Sequence, residues 1–140
     1  MLRQAFAMLD VQAPVQGLHE VTGDVARWVA GCGIRDGLLT LFCRHSSASL
    51  LIQENAARAA RHDLEAYFAR IAPEDPSAYT HNDEGPDDMP AHLRAALTQT
   101  QLAIPVQGGR MMLGTWQGIY LFEHRREPPP RQIILHLTGE

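Results

Sequence analysis

The sequence predicts an α+β domain built largely of antiparallel sheet with two to three helices. Three observations carry that expectation. The elements run strand, helix, strand, strand, helix, helix, and then four strands in succession. The alternating strand–helix–strand units that a doubly wound parallel sheet requires are missing. Gly108-Gly109 between two apolar runs is a hairpin signal. At 140 residues the chain fits one domain, 1–140. That length buries roughly two-thirds of the unfolded surface without disulfides or structural metal.

The first strand, over residues 3–12, puts Phe6 and Met8 on one face and Leu9 and Val11 on the other, with an irregularity between them. Thr22 is placed as an N-cap for a helix with Val25, Trp28 and Val29 at helical spacing, and Gly31 or Gly33 stops it. Residues 37–43 are a short apolar run, hence a buried strand, and 49–53 return from it. A second helix is expected from Asn55 to about Ile71, with Ala57, Ala60, Leu64, Phe68 and Ile71 on one buried stripe. Pro73 and Pro76 end it. The polar stretch 73–89 is long for a structureless loop, and such loops are usually functional. Pro90 then opens a short helix, with Asp88 or Met89 as N-cap and His92 in its first turn. Four strands follow at 102–106, 110–115, 119–124 and 133–137, the last reached through Pro128-Pro129-Pro130.

Composition removes several function classes. The net charge of −4 is against sequence-independent nucleic-acid binding, which needs a basic face. All 12 basic residues are arginine, so Schiff-base, pyridoxal-phosphate and P-loop chemistry lack their lysine. Cys32 and Cys43 follow no paired metal-ligand spacing and are expected as buried free thiols. The first residues hold no apolar run of signal-peptide type, and no segment is long and apolar enough for a bilayer. A cytoplasmic setting with no membrane partner is expected.

Histidines carry the candidate chemistry. His45 ends an apolar strand and is followed by Ser46 and Ser47, hydroxyls suited to phosphate or carboxylate oxygens; a turn histidine bonded locally is the alternative. His81-Asn82-Asp83-Glu84-Gly85 offers an imidazole among carboxylates, a set that either raises basicity or joins on a divalent ion, unless it is a solvated acidic loop. His92 in a helix's first turn would sit among unsatisfied N–H groups that favour a neutral imidazole. His45, His81 and His92 meeting in space would match a catalytic metal site with an open position. Gly114-Thr115-Trp116-Gln117-Gly118 suggests a bulge or tight turn offering polar groups to a cleft, or else a packed tryptophan. Glu123 either faces inward as a ligand or pairs with Arg125. His19, His62, His124 and His136 are taken as structural.

Taken together, His45-Ser-Ser-Ala-Ser49, His81-Asn-Asp-Glu-Gly85 with Asp88-Met-Pro-Ala-His92, and Gly114-Thr-Trp-Gln-Gly-Ile-Tyr-Leu121 with Glu123 resemble the YjbQ family. The likeness runs from about residue 15 to the end of the sequence. It implies an α+β fold, a homotrimer, and an activity of the secondary thiamine-phosphate synthase kind. That reaction joins a pyrimidine pyrophosphate to a thiazole phosphate with release of pyrophosphate. By position, the resemblance implies site roles for His45, His81, Asp83, Glu84, Asp88, His92, Gln117 and Glu123. Ser46, Ser47, Asn82, Thr115 and Trp116 are the expected substrate contacts. His45, His81 and His92 are the expected ligands of a divalent metal, zinc or magnesium. Two features depart from the family pattern: Ser46 and Ser47 replace threonines, and the proline run 128–130 lengthens the last connection. A trimeric module that binds a metal or a small anion without turnover, or a metal-dependent hydrolase, would use the same residues.

Overall fold

A computed structural model describes residues 1–12 and 15–140. Among these residues eight strands form two antiparallel sheets, accompanied by three α-helices. The larger sheet holds β1 (Arg3–Val11), β8 (Arg131–Gly139), β3 (Gly37–Cys43), β5 (Gln101–Gln107) and the short β6 (Arg110–Met111), in that order. The smaller holds β2 (Gly17–Glu20), β7 (Gln117–Glu123) and β4 (Ala48–Glu54). The helices are α1 (Thr22–Gly31), α2 (Arg58–Ile71) and α3 (Asp88–Leu97).

The larger sheet follows the period of two that its sequence shows. Along β8, Ile133, Leu135 and Leu137 are buried, while Ile134, His136 and Thr138 on the other face are only partly covered. The inward residues meet Leu39, Leu41, Ala48, Leu50, Ile119 and Leu121, together with Val25 and Val29 of α1. That apolar layer between the two sheets is the main core. β7 is buried on both faces, so its sequence is a continuous apolar run. Its second face, Tyr120 and Phe122, packs with Leu18 against Leu64 and Phe68 of α2.

Several expectations change in physical detail. β1 pairs with β8 residue for residue from Arg3↔Gly139 to Val11↔Arg131, so the expected irregularity is absent. Thr22 is the first helical residue, not the cap; its hydroxyl donates to Glu20 and accepts the Ile119 amide. Gly33, at φ +71°, takes the left-handed position after α1. Asn55 donates to Glu20 instead of capping α2. α2 has no fully buried residue, and Ala57 and Ile71 of the expected stripe are exposed, because only the narrow three-stranded sheet lies beneath it. Gly108 (φ +61°) and Gly109 (φ +78°) make the two-residue hairpin turn. The strand after it is only two residues long, facing an edge where Pro105 has no N–H to offer. Cys43 is buried and Cys32 half-buried, both free thiols.

α3 starts at Asp88, two residues before Pro90, which therefore sits inside the first turn where a missing N–H costs nothing. The loop before it contains a single 3₁₀ turn, Pro76–Ala78, capped by the Asp75 carboxylate. No helix among the described residues is long and apolar enough to cross a membrane.

Candidate metal centre

The chain passes from one sheet to the other at residues 44–47 and again at 124–130, and both corners lie against the start of α3. The earlier onset of α3 places His92 in the second turn, one turn above Asp88, instead of in the first turn among free N–H groups. Residues four apart share a helix face. Asp88, only 2% exposed, turns its Oδ2 to His92 Nε2 at 3.2 Å and to His81 Nε2 at 3.1 Å. Glu84 completes the group, its Oε2 3.5 Å from His81 Nε2. Donor atoms of these four residues all lie within 4.8 Å of one another.

The hydrogen bonding of His92 gives this geometry its meaning. Its Nδ1 lies 3.0 Å from the Ser46 carbonyl oxygen, which can only accept, so Nδ1 carries the proton. With that proton on Nδ1, a neutral ring would turn the Nε2 lone pair to a carboxylate oxygen. A proton or a cation has to lie between two such acceptors. A backbone carbonyl holding the far nitrogen is also how proteins orient metal-binding imidazoles. The 3.1–3.5 Å separations match the edges of a coordination polyhedron around an ion bound at about 2.1 Å.

Arg125 holds the carboxylates in place. Its Nε donates to Asp87 Oδ2 at 3.0 Å, its NH1 to Asp88 Oδ1 at 2.9 Å and its NH2 to the Glu84 carbonyl at 3.0 Å. Burial works to raise the Asp87 pKa, but the Arg125 guanidinium and the Arg126 amide outweigh it and hold the carboxyl below its ordinary range. The same bond to Asp87 raises the Arg125 pKa. Beneath this lies a second, buried pair: Glu123 and Arg131 make two hydrogen bonds of 2.6 Å across the gap between the sheets. Arg131 also donates to the Ser47 carbonyl and hydroxyl, and the Arg125 amide donates to Glu123 Oε2.

The expected site residues therefore divide. His81, Glu84, Asp88 and His92 come together. His45 does not join them: its Nε2 accepts the Gln132 amide at 2.9 Å. Burial and the nearby Arg131 charge lower its pKa, so it stays a neutral ring with its proton on Nδ1. Neither nitrogen is then a lone pair available to an ion. Glu123 pairs with Arg131, not with the Arg125 side chain, and is fully buried, so it supports the site without touching a ligand. Ser47 is committed to Arg131, and Ser46 contributes its carbonyl to His92. Asn82 staples its own loop through Pro76 and Tyr79 carbonyls. Asp83 is exposed. Thr115, Trp116 and Gln117 form an exposed turn, with Gln117 accepting from the Gly114 amide. It lies at the opposite end of β7 from Glu123, about 20 Å along the strand. Arg125 and Asp87 were not among the expected residues. The 3-4-4 spacing His81, Glu84, Asp88, His92 was the available signal.

Behind the cluster, His124 is fully buried against Phe122, with Nε2 2.9 Å from Ser49 Oγ. Burial, and then the Arg94 and Arg131 charges, push its pKa down to about 3. The folded state keeps this ring neutral while the unfolded chain takes up a proton below pH 6.5. Its share of stability is therefore complete above pH 6.5 and lost as the pH falls towards 3. Urea unfolding at pH 7 and pH 4.5 should differ by about 2–3 kcal/mol from this group. The His124→Gln variant should have a visibly flatter profile; an unchanged slope would assign the effect elsewhere.

Two antiparallel sheets with a histidine–carboxylate cluster where the chain crosses between them define the class: an α+β protein with a polar centre of residues that could hold a metal ion. Residues 8–140 match the family described as UPF0047 protein YjbQ-like. The chain belongs to that YjbQ/UPF0047 family. It is 46% identical to a UPF0047 protein of Synechocystis sp., covering 99% of this chain and 94% of the relative. It is 43% identical to UPF0047 protein YjbQ of Escherichia coli O157:H7, covering 94% and 96%. Among solved structures, a YbjQ-like protein of unknown function from Sulfolobus solfataricus superposes with a TM-score of 0.92 at 27% identity, over 100% of both chains. A conserved hypothetical protein from Thermus thermophilus gives 0.83 at 31% identity, covering 94% of this chain and 98% of that one.

Proposed function

We propose that this protein is an enzyme acting on phosphorylated small molecules, with a divalent metal, zinc or magnesium, held by His81, Glu84, Asp88 and His92. The observation that carries the reading is the convergence of His92 Nε2 and His81 Nε2 on Asp88 Oδ2, with His92 Nδ1 turned to the Ser46 carbonyl. Two imidazoles and two carboxylates suit zinc better than magnesium, which prefers oxygen alone. The family resemblance points to the thiamine-phosphate synthase reaction, in which a thiazole nitrogen displaces pyrophosphate. When bound, the ion would stabilise charge on the departing group. His92 is held in one tautomer by Ser46, and Asp88 is held by Arg125, so the ligating atoms are oriented beforehand. A cavity of about 330 Å³ lined by Tyr79, Thr80, His81 and Met89 lies beside the cluster and offers room for part of a substrate.

The test is product formation from the pyrimidine pyrophosphate and thiazole phosphate, with added Zn²⁺ or Mg²⁺ and after chelation. Metal-dependent product that disappears in the His81→Ala, His92→Ala double variant supports the proposal. No turnover above that variant removes it. A second reading is a module that holds a metal without turnover, favoured by the half-exposed His81, which leaves the ion free to exchange. Stoichiometric metal uptake with no reaction over a panel of phosphorylated substrates would select it.

A homotrimer is part of the proposal. The outer face of the five-stranded sheet exposes Phe6, Met8, Leu38 and Phe42, an apolar surface of the kind that marks an interface. Phe6→Asp with Phe42→Asp should convert the assembly to monomer in sedimentation. A monomeric parent protein would remove the trimer.

A further inference from the structure

Away from the histidine cluster, on the side of α3 that meets α2, lies a cavity of about 400 Å³. Its wall includes Arg94, Phe68, Ala69, Phe122, Glu65 and Glu74. Arg94 is the unusual member. Only 6% of it is exposed, and among the described residues no carboxylate lies within salt-bridge distance of it. Its NH2 donates to the Ala72 carbonyl at 2.7 Å, while its buried Nε–H has no acceptor among the described residues. Asp87, the carboxylate that acts on it through space, is already committed to Arg125 and the Arg126 amide.

A guanidinium stays charged in any protein interior, and a buried charge without a counter-ion is costly. The missing partner is therefore an anion, and the fork of Arg fits a planar carboxylate with two parallel bonds. The other walls narrow its chemistry. Phe68 and Phe122 stand edge to face at 5.3 Å and present apolar surface. Arg126, the other cation on the wall, is already paired with Glu74, so no second cation is free for a doubly charged group. We propose that this cavity binds a small monocarboxylate with an aromatic or branched apolar body, at a site separate from the histidine cluster. The volume lies at the low end for small-molecule pockets, which suits a ligand of one ring.

Benzoate is the probe, titrated into the full chain by calorimetry with proton NMR of the Arg94 Nε–H and the two phenylalanine rings. Saturable binding is expected with Kd on the order of 0.1–1 mM, the range for about nine heavy atoms. Arg94→Gln should weaken it roughly tenfold or more. Ala69→Trp, at an exposed position of α2, should block the cavity to a similar degree while leaving Arg94 in place, so a fold defect in the first variant does not decide the matter. Inorganic phosphate should bind more weakly than benzoate. Absence of saturable benzoate binding, equal affinity in Ala69→Trp, or tighter binding of phosphate would each overturn the proposal.

Discussion

Asp88→Ala is expected to lower zinc affinity by at least ~100-fold, the largest effect of any single replacement in the cluster. Asp88 Oδ2 is the one atom that both imidazoles approach, and Oδ1 receives Arg125. Removing the carboxylate therefore loses a ligand and loosens the orientation of two more. Because Asp88 is buried at a helix start, the substitution also leaves Arg125 with Asp87 as its one carboxylate, beside the Glu84 carbonyl. Asp88→Asn separates the two roles: it keeps the size and an oxygen for Arg125 but gives up the negative charge. Calorimetric Zn²⁺ titration of the three proteins reads the result. Affinity near that of the parent in Asp88→Ala would place the ion elsewhere.

The second large effect is on stability. Glu123→Ala strands Arg131, 2% exposed, as a buried cation with only Ser47 to bond. Truncating one member of a buried pair commonly costs 3–5 kcal/mol, roughly a third or more of the stability of an ordinary domain. Desolvating both partners was itself expensive, so the pair is not a large net source of stability. Glu123→Leu with Arg131→Met should therefore recover most of the loss. Guanidinium unfolding of the single and double variants checks both statements. A single-variant loss under about 1 kcal/mol would mean that water reaches Arg131.

The contrast between these two residues shows what the sequence can and cannot reveal. The strand ending at Glu123 was legible from its apolar run, and the hairpin at Gly108-Gly109 from its turn chemistry. The partner of Glu123 was not legible: Arg131 lies beyond three prolines and in the other sheet, and only tertiary packing brings it back. His45 looked equivalent to His81 and His92 because it ends an apolar strand among hydroxyls, a setting that fits a pocket rim. What separates it is a backbone amide, Gln132, from a distant strand. The start of α3 was misplaced because Pro90 is a good opening residue, whereas the chain tolerates it deeper in the first turn. That shift of two residues changes which side chains stack above one another. It turns His92 from a helix-end histidine into the upper member of a pair with Asp88.

The segment between α2 and α3 now has a definite thermodynamic character. Its own bonds are local: Tyr79 to Pro73, Ser77 to Asp75, Asn82 to Pro76 and Tyr79. It is fastened to the rest through Arg125, Arg126 and the contact of His81 with Asp88. Such a unit opens by itself, at lower free energy than the sheets, and its amide hydrogens exchange together. An ion that requires His81 and Glu84 beside Asp88 binds only the closed form. Saturation would slow that exchange by the factor 1 + [ion]/Kd, so the loop's deuterium uptake becomes a gauge of occupancy that needs no knowledge of the substrate.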